Sequence, residues 1–309
     1  MRGRKINLYR SAEKSLFKTY GVQPEEHFIE VKEFGVNIRA LTIGSGSSLL
    51  FIHGGPAAGS LWMPLIEHLN GYKCIIIDRP GCGLSEKVSY KDLSRIRLQS
   101  IITAVIDSVL AYFRVGNLPV IASSFGSYLV MLYLMKKKST ISKLVFEGCP
   151  AMVEGCHVPG FMKPMLLPVL RWVIPRLPAT KPIFHKIIRG LGHSFSLDHN
   201  LINEDFIKWY ISLFNYTNTQ VNEISMITKA VPGGKLNPEF MLNDEEIGTI
   251  SQPLLFLWAK NDPFGGVDIG QRLVDKNENF SLRQFENSGH LPWLDKPADH
   301  ANEIRKFCN

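Results

Sequence analysis

Five short, uninterrupted apolar runs constrain the fold of this chain more than any other feature of its sequence. They are SLLFI at 48–52, CIII at 74–77, LPVIA at 118–122, KLVF at 143–146 and PLLFLWA at 253–259. Because apolar and polar residues do not alternate within them, these runs are typical of strands buried on both faces of a parallel sheet. Helical patterns lie between them, and this succession predicts a doubly wound, mostly parallel α/β fold.

Two amphipathic runs precede these strands. HFIEVKEF at 27–34 and VNIRALTIG at 36–44 are separated only by Gly35. Alternation of apolar and polar residues on both sides of a glycine is typical of two half-buried strands joined by a tight turn. We therefore expect a hairpin at the start of the sheet.

The alternation of strands and helices stops between residues 151 and 246, where prolines are frequent. Apolar pieces such as MLLPVLRWVIP predict short helices interrupted by prolines. Because this insertion begins after one sheet strand and ends before the next, we expect it to lie over the carboxyl edge of the strands, where such sheets bind ligands. We divide the chain into a core of residues 1–150 and 247–309, which begins with a basic helix at 1–22, and a helical cap at 151–246.

The net charge of +7 is concentrated at the start of the chain, where residues 1–18 hold six basic side chains and one acidic side chain. We interpret this stretch as a solvated helix whose Leu8, Leu16 and Phe17 pack on the core, and contact with an anionic surface is the alternative. We predict no nucleic-acid partner. We also predict no membrane span, because nowhere do eighteen apolar residues stand together.

Cysteine usage and the start of the chain bear on the compartment. The five cysteines are Cys74, Cys82, Cys149, Cys156 and Cys308. Their odd number and the absence of a CxxC pair are typical of free thiols in a reducing compartment. No apolar run of a secretory signal follows the basic start, so we expect a cytoplasmic protein. Cys149, Cys156 and His157 match no standard zinc spacing, and we expect neither a metal nor an organic cofactor.

The segment VIASSFGSYLV at 120–130 passes from one apolar run into another through two adjacent serines and a glycine. A strand that turns directly into a helix needs small residues two positions before and two positions after the turn residue. Both of these neighbours are large for Ser123, whereas Ser124 has Ala122 and Gly126. The pattern therefore favours Ser124 as a nucleophile, and serines that merely cap a helix are the alternative.

Candidates for the acid and the base follow the serine along the chain. A serine hydroxyl becomes nucleophilic only when a base removes its proton, and an acid must hold that base in one tautomer. Asp262 comes directly after the run PLLFLWA, and His290 follows the last predicted strand. We predict that Asp262 is the acid and His290 the base, with Glu147, at the end of an earlier strand, as the alternative acid.

A glycine-containing turn, FIHGGPAAGS at 51–60, follows an early strand. Its glycines allow backbone N–H groups to face the nucleophile, and we expect the N–H groups of Gly55 and Phe125 to form an oxyanion hole. Five short motifs distinguish this sequence: HGGP at 53–56, DRPGCGLS at 78–85, ASSFG around Ser124, NDPFG around Asp262 and SGHLPW around His290.

With these motifs the chain resembles the α/β-hydrolase superfamily from about Phe28 to its C-terminus. The resemblance implies the α/β-hydrolase fold, with the insertion as the family's helical cap. A serine at this turn, rather than the aspartate of relatives that open epoxides or displace halide, predicts acyl transfer to water. The apolar side chains of the insertion favour a small-molecule apolar acyl substrate. The predicted function is therefore a carboxylesterase-like serine hydrolase that forms an acyl-enzyme.

Three other functions stay open. The motifs are also similar to those of proline iminopeptidases, which use carboxylates of the cap to hold a substrate amine. The candidate carboxylates are Glu204, Asp205 and Glu223. Relatives with the same triad cleave a carbon–carbon bond in a vinylogous diketone acid, which requires a cation for the substrate carboxylate. The candidate cations are Arg171, Arg176 and Arg189. A ligand receptor that keeps the triad is the non-enzyme alternative.

Overall fold

A computed structural model of the chain describes residues 2–137 and 140–309. In this part of the chain the strands form one eight-stranded sheet with the order β1-β2-β4-β3-β5-β6-β7-β8. The strands are β1 (Glu25–Val31), β2 (Val36–Ile43), β3 (Ser47–Ile52), β4 (Tyr72–Ile77), β5 (Leu118–Ser123), β6 (Ile141–Glu147), β7 (Leu254–Ala259) and β8 (Phe280–Phe285).

The helices cover both faces of the sheet, and several of them form the connection between β6 and β7. They are α1 (Arg2–Thr19), α2 (Met63–Ile66), α3 (Arg95–Phe113), α4 (Phe125–Lys136), α5 (Lys163–Leu166), α6 (Leu170–Val173), α7 (Lys181–Gly190), α8 (Ser194–Asp198), α9 (Glu204–Tyr216), α10 (Thr219–Ala230), α11 (Asp244–Gly248), α12 (Val267–Val274) and α13 (Pro297–Cys308). Short 3₁₀ turns are Gly59–Trp62, Gly160–Met162, Ile174–Arg176, Pro232–Gly234, Pro238–Phe240 and Pro292–Leu294.

The pairing of the strands confirms the predicted sheet. β1 and β2 form an antiparallel hairpin in which Ile29 lies opposite Ile38, and β2 is also antiparallel to β4. All the pairs from β4 through β3 to β8 are parallel. The five apolar runs form β3 to β7, and every residue of β7 is buried, as expected for strands covered on both faces.

Two apolar clusters lie on opposite sides of the sheet. One contains Val105 of α3 and Leu132 of α4, and the other contains Trp62 and Trp293, whose rings stack with centroids 4.2 Å apart. By length and composition alone, α3 is the one helix of the described residues that could cross a membrane. In this fold its apolar side packs into the first cluster.

The connection between β6 and β7, residues 148–253, holds α5 to α11. Within the described residues it contains no strand, only an isolated bridge between Val153 and Leu242. Its first helices are short, and Pro164 and Pro182 lie in the first turns of α5 and α7. Proline is accommodated there because the first N–H groups of a helix have no intrahelical acceptor.

The first helix is anchored in the core by an ion pair. Glu13 of α1 and Arg39 of β2 lie 2.6 Å apart, and each side chain is only 2% exposed. Tyr9 and Leu16 of the same helix are fully buried, whereas Leu8 is 43% exposed. The predicted packing of α1 therefore holds for Leu16 and for the partly buried Phe17 but is wrong for Leu8, and α1 is an integral part of the described fold.

Candidate active site

Ser124 lies at the turn between β5 and α4 and has the backbone angles φ +50° and ψ −116°. A non-glycine residue adopts such angles only at a cost of about 1–3 kcal/mol, and such strain is found at functional sites. The turn is possible because Gly126 has no side chain. A Cβ there would lie 2.7 Å from the carbonyl oxygen of His53 and still closer to that of Ile52.

The HGGP turn lies beside this serine. The N–H of Gly54 donates to the hydroxyl of Ser123 at 3.0 Å, and a Cβ on Gly54 would lie 3.0 Å from the Cβ of Ser124. Gly55 and Phe125 both line one cavity together with Ser124. The structure thus brings the two predicted oxyanion-hole residues to the side of the predicted nucleophile.

Asp262 follows β7 and His290 follows β8. The Nδ1 atom of His290 lies 2.9 Å and 3.0 Å from the two carboxylate oxygens of Asp262. The carboxylate also accepts the N–H groups of Cys149 at 2.8 Å and of Phe264 at 2.9 Å. A proton held on Nδ1 by this carboxylate leaves Nε2 available as a base. His290 and Ser124 line the same cavity.

Glu147, the alternative acid, lies with another histidine. Its carboxylate oxygen Oε2 is 2.7 Å from Nδ1 of His300 on α13, and both side chains are fully buried. Because His300 packs against Phe285 with ring centroids 3.9 Å apart, this pair belongs to the packing between the sheet and the last helix. The geometry therefore favours Asp262 as the partner of His290.

Two apolar cavities meet at Ser124, and we call them the first and the second lobe. The residues that line both lobes are Gly55, Ser124, Met162, Leu166, Ile227 and Phe264. His290 lines the first lobe only. In the described part of the chain no Asp, Glu, Lys or Arg lines either lobe. The first lobe has a volume of about 60 Å³ and the second of about 80 Å³.

The three candidate carboxylates for an amine substrate all have partners within the protein. Glu204 pairs with Lys181 at the surface, and Asp205 accepts the hydroxyl of Thr19 at 2.7 Å. Glu223 pairs with Arg79 at 2.5 Å. None of these three carboxylates lines the two lobes.

The candidate cations for a substrate carboxylate also lie away from the lobes. Arg189 pairs with Asp198, and Arg176 donates to the carbonyl of Trp172 at 2.5 Å. Arg171 lies beside the Trp172 ring. No group of three or more His, Cys, Asp and Glu side chains among the described residues is arranged to hold a metal ion.

Arg79 has a role that the sequence analysis missed. Its buried guanidinium donates to the carbonyls of His53 at 2.9 Å and Gly54 at 3.0 Å, and it pairs with Glu223 of α10. Burial and the nearby guanidinium hold the pKa of His53 well below its usual value, so this imidazole is neutral. Arg79 therefore ties the HGGP turn to the helical insertion. Its place in the DRPG motif was the only available signal.

His193 of the insertion supports the loop of the candidate base. It is fully buried, and its Nε2 accepts the N–H of Leu291 at 3.2 Å while Nδ1 lies 2.7 Å from Asp295. The N–H of His290 donates to the carbonyl of Leu191 at 2.8 Å. The insertion thus positions the loop of His290, and no local sequence pattern indicated this.

Comparisons with known proteins agree with this architecture. A family model described as alpha/beta hydrolase fold matches residues 48–195. A 2-hydroxy-6-oxononadienedioate/2-hydroxy-6-oxononatrienedioate hydrolase from Burkholderia vietnamiensis is 22% identical over 275 residues, which are 85% of this chain and 88% of the relative.

Two solved structures are similar over most of their length. Carboxylesterase CesB from Bacillus subtilis has a TM-score of 0.70 and 14% identity, with 98% of both chains covered. A meta-cleavage product hydrolase from Pseudomonas fluorescens IP01 has a TM-score of 0.69 and 15% identity, with 92% of this chain and 96% of that chain covered. At these identities the structural likeness shows the fold alone.

Proposed function

The chain is an enzyme of the α/β-hydrolase superfamily, and on that premise we propose that it is a serine hydrolase of uncharged carboxylic esters. The observation that carries the proposal is the position of Ser124 between two apolar lobes, which no Asp, Glu, Lys or Arg of the described residues lines. Burying a charged substrate group without a partner is costly. A substrate with apolar groups on both sides of its carbonyl suits these lobes.

In the proposed mechanism Ser124 attacks the ester carbonyl while Nε2 of His290 takes the hydroxyl proton. Asp262 holds the imidazole in the required tautomer and stabilises its charged form. The N–H groups of Gly55 and Phe125 donate to the oxyanion of the tetrahedral intermediate. The alcohol then leaves with the proton from His290, and Ser124 keeps the acyl group.

The second half of the cycle uses the same groups with water as the nucleophile. His290 takes a proton from the water as the oxygen attacks the acyl carbonyl, and it returns that proton to the hydroxyl of Ser124 as the acid is released. Phe264, whose ring centroid lies 4.0 Å from that of His290, covers one side of the imidazole. This packing limits the orientations that the base can adopt.

We also propose that residues 151–246 act as a cap that limits substrate size. Met162, Leu166 and Ile227 of this segment line both lobes. With volumes of about 60 Å³ and about 80 Å³, the two lobes accommodate small groups only. A longer substrate then requires displacement of the cap. The cytoplasmic location expected from the sequence stays a prediction.

Carbon–carbon bond hydrolysis is the second candidate, because two of the similar proteins are named for that kind of substrate. The name of the Burkholderia vietnamiensis relative states a dioate substrate, which has carboxylates to be bound. Against this candidate stands the lining of the lobes, which among the described residues offers no cationic side chain. We therefore place it behind ester hydrolysis.

The test of the proposal is a rate profile on nitrophenyl esters of increasing acyl length. We expect turnover of short esters that declines as the acyl group outgrows its lobe, and no acyl turnover by Ser124→Ala. Ser127→Ala is the matched control, since the Ser127 hydroxyl is buried and has no hydrogen-bond partner among the described residues. It should keep the wild-type profile.

Other outcomes of this experiment contradict the proposal in different ways. Full activity of Ser124→Ala would refute the mechanism. Turnover of proline nitroanilide alone would favour the peptidase, and turnover of a 2-hydroxy-6-oxo dienoate alone would favour carbon–carbon cleavage. If nothing is turned over although a fluorophosphonate still labels Ser124, a receptor that keeps the triad becomes the better interpretation.

The assignment of the acid has its own test. Asp262→Asn should lower kcat on esters by about 10⁴-fold, because the amide favours the wrong imidazole tautomer. Glu147→Gln should keep kcat, since Glu147 contacts His300 rather than His290. The opposite pattern would reverse the assignment.

A further inference from the structure

One stretch of the insertion has an unusual charge pattern. Residues 156–197 contain six Lys and Arg side chains and no Asp or Glu. The cations are Lys163, Arg171, Arg176, Lys181, Lys186 and Arg189. Among the described residues, acidic partners from outside the stretch pair with Lys181 and Arg189 only. The other four cations therefore have no carboxylate partner among the described residues.

The same stretch exposes large apolar side chains to solvent. Seven of the thirteen exposed large apolar residues of the described chain lie between positions 167 and 183. They are Leu167, Val169, Leu170, Trp172, Val173, Leu177 and Ile183. Apolar side chains that are scattered singly need no explanation, but a concentration of this kind marks a surface that contacts another partner.

Trp172 lies between the two kinds of side chain. It is 59% exposed, and the guanidinium groups of Arg171 and Arg176 each lie 5.6 Å from its ring centroid. A tryptophan at the depth of lipid headgroups keeps its ring in contact with apolar chains. The adjacent guanidinium groups then meet the phosphates, with which they form paired hydrogen bonds.

We propose that the outer face of residues 167–177, which we call the lid face, docks on an anionic lipid bilayer. Its apolar side chains enter the headgroup region, and the cations around them contact the anionic headgroups. A second copy of the chain fits less well, because two lid faces in contact would bring cations of the same sign together. The charge of the face thus complements an anionic surface.

The lid face is continuous with the candidate active site. Leu166 is buried and lines both lobes, and its neighbour Leu167 is 44% exposed. Met162 and Met165, four residues and one residue before Leu166, also line the first lobe. Given the proposed function, on which this step rests, an ester dissolved in the bilayer would reach Ser124 through the lid without crossing water.

The experiment measures binding of the full chain to vesicles by sedimentation and by tryptophan fluorescence. One vesicle is phosphatidylcholine alone and the other contains phosphatidylserine as well. We expect strong binding to the second kind only, with a blue shift of the emission. The shift reports on Trp172, because the four other tryptophans are fully buried. Ser124→Ala should bind equally, so this test does not depend on the proposed ester chemistry.

Variants locate the surface. At about five-fold for each cation, Arg171→Gln with Arg176→Gln should weaken binding to the anionic vesicles by about 25- to 30-fold. Trp172→Ala should abolish the blue shift and weaken binding. The matched controls are Lys32→Gln with Lys91→Gln for charge and Ile96→Ala for exposed apolar area, since all three residues are exposed and lie outside the insertion. The controls should bind as the wild type does.

Three outcomes would overturn the proposal. The first is the absence of wild-type binding to anionic vesicles. The second is equal loss of binding in the arginine variant and in its charge control. The third is loss of binding on Arg4→Gln with Lys5→Gln, which would place the surface on α1 instead. Unfolding midpoints of all variants, measured alongside, show that each chain is folded.

Discussion

Removal of one carboxylate, by Glu223→Gln, tests how the helical insertion is held on the core. The carboxylate of Glu223 and the guanidinium of Arg79 lie 2.5 Å apart, and they are 0% and 2% exposed. Although burial opposes it, the Glu223 carboxylate raises the pKa of Arg79 above its usual value. The variant removes this effect, but a guanidinium is not deprotonated in proteins, so Arg79 stays charged when its partner is made neutral.

The expected cost follows from this burial. Removing one partner of a buried ion pair destabilises a protein by about 3–5 kcal/mol, because the other charge is left uncompensated. Arg79 keeps its hydrogen bonds to the carbonyls of His53 and Gly54, and the new amide oxygen still accepts one. We therefore expect a loss near the lower bound, about 3 kcal/mol of the free energy of unfolding.

Urea unfolding of the wild type and the variant measures this loss. Glu204→Gln is the matched control, because Glu204 is a surface glutamate of the same insertion. It should leave the midpoint unchanged, since exposed ion pairs contribute little. We also expect kcat of Glu223→Gln on short esters to fall, because Arg79 holds the turn that carries Gly55. A loss below about 1 kcal/mol, within the range of an exposed pair, would refute the reasoning.

Three further changes test other parts of the structure. Glu13→Gln should lower stability in urea by about 1–3 kcal/mol, less than a wholly broken buried pair, because the buried Arg39 loses one carboxylate but keeps Glu26 and Asp78; a wild-type midpoint would show that α1 does not anchor the fold. Gly126→Ala should lower both ester turnover and the thermal midpoint, since its Cβ would collide with backbone carbonyls, whereas Gly116→Ala, with open space around its Cβ, should not. Burial raises the pKa of Cys74 to about 12, so mass spectrometry should find it unalkylated by iodoacetamide at neutral pH unless urea is present.

The parts of the fold that the sequence predicted are those set by short-range constraints. An apolar run without alternation is a property of neighbouring residues, and all five such runs form strands. The turn at Ser124 follows the same logic, because the sharp local path of the chain requires small residues such as Ala122 and Gly126. Asp262 and His290 come after β7 and β8, and the structure places the two side chains 2.9 Å apart; their catalytic roles stay a prediction.

The contacts that the sequence did not predict join distant residues. Arg79 and Glu223 are 144 positions apart, and His193 and Leu291 are 98 positions apart. Their pairing depends on how the insertion packs on the core, and periodicity within a segment carries no information about that packing.

The same reasoning explains why substrate size is not readable from the chain. The first lobe is lined by residues from Gly54 to Leu291, so its volume depends on the packing of segments that are far apart in sequence. The first lobe has a volume of only about 60 Å³. A displacement of the insertion by one side-chain width would therefore change this volume by a large fraction. If the lid face docks on a bilayer, that displacement is coupled to binding. Ester length selectivity should then broaden when anionic vesicles are added, and in Arg171→Gln with Arg176→Gln it should not.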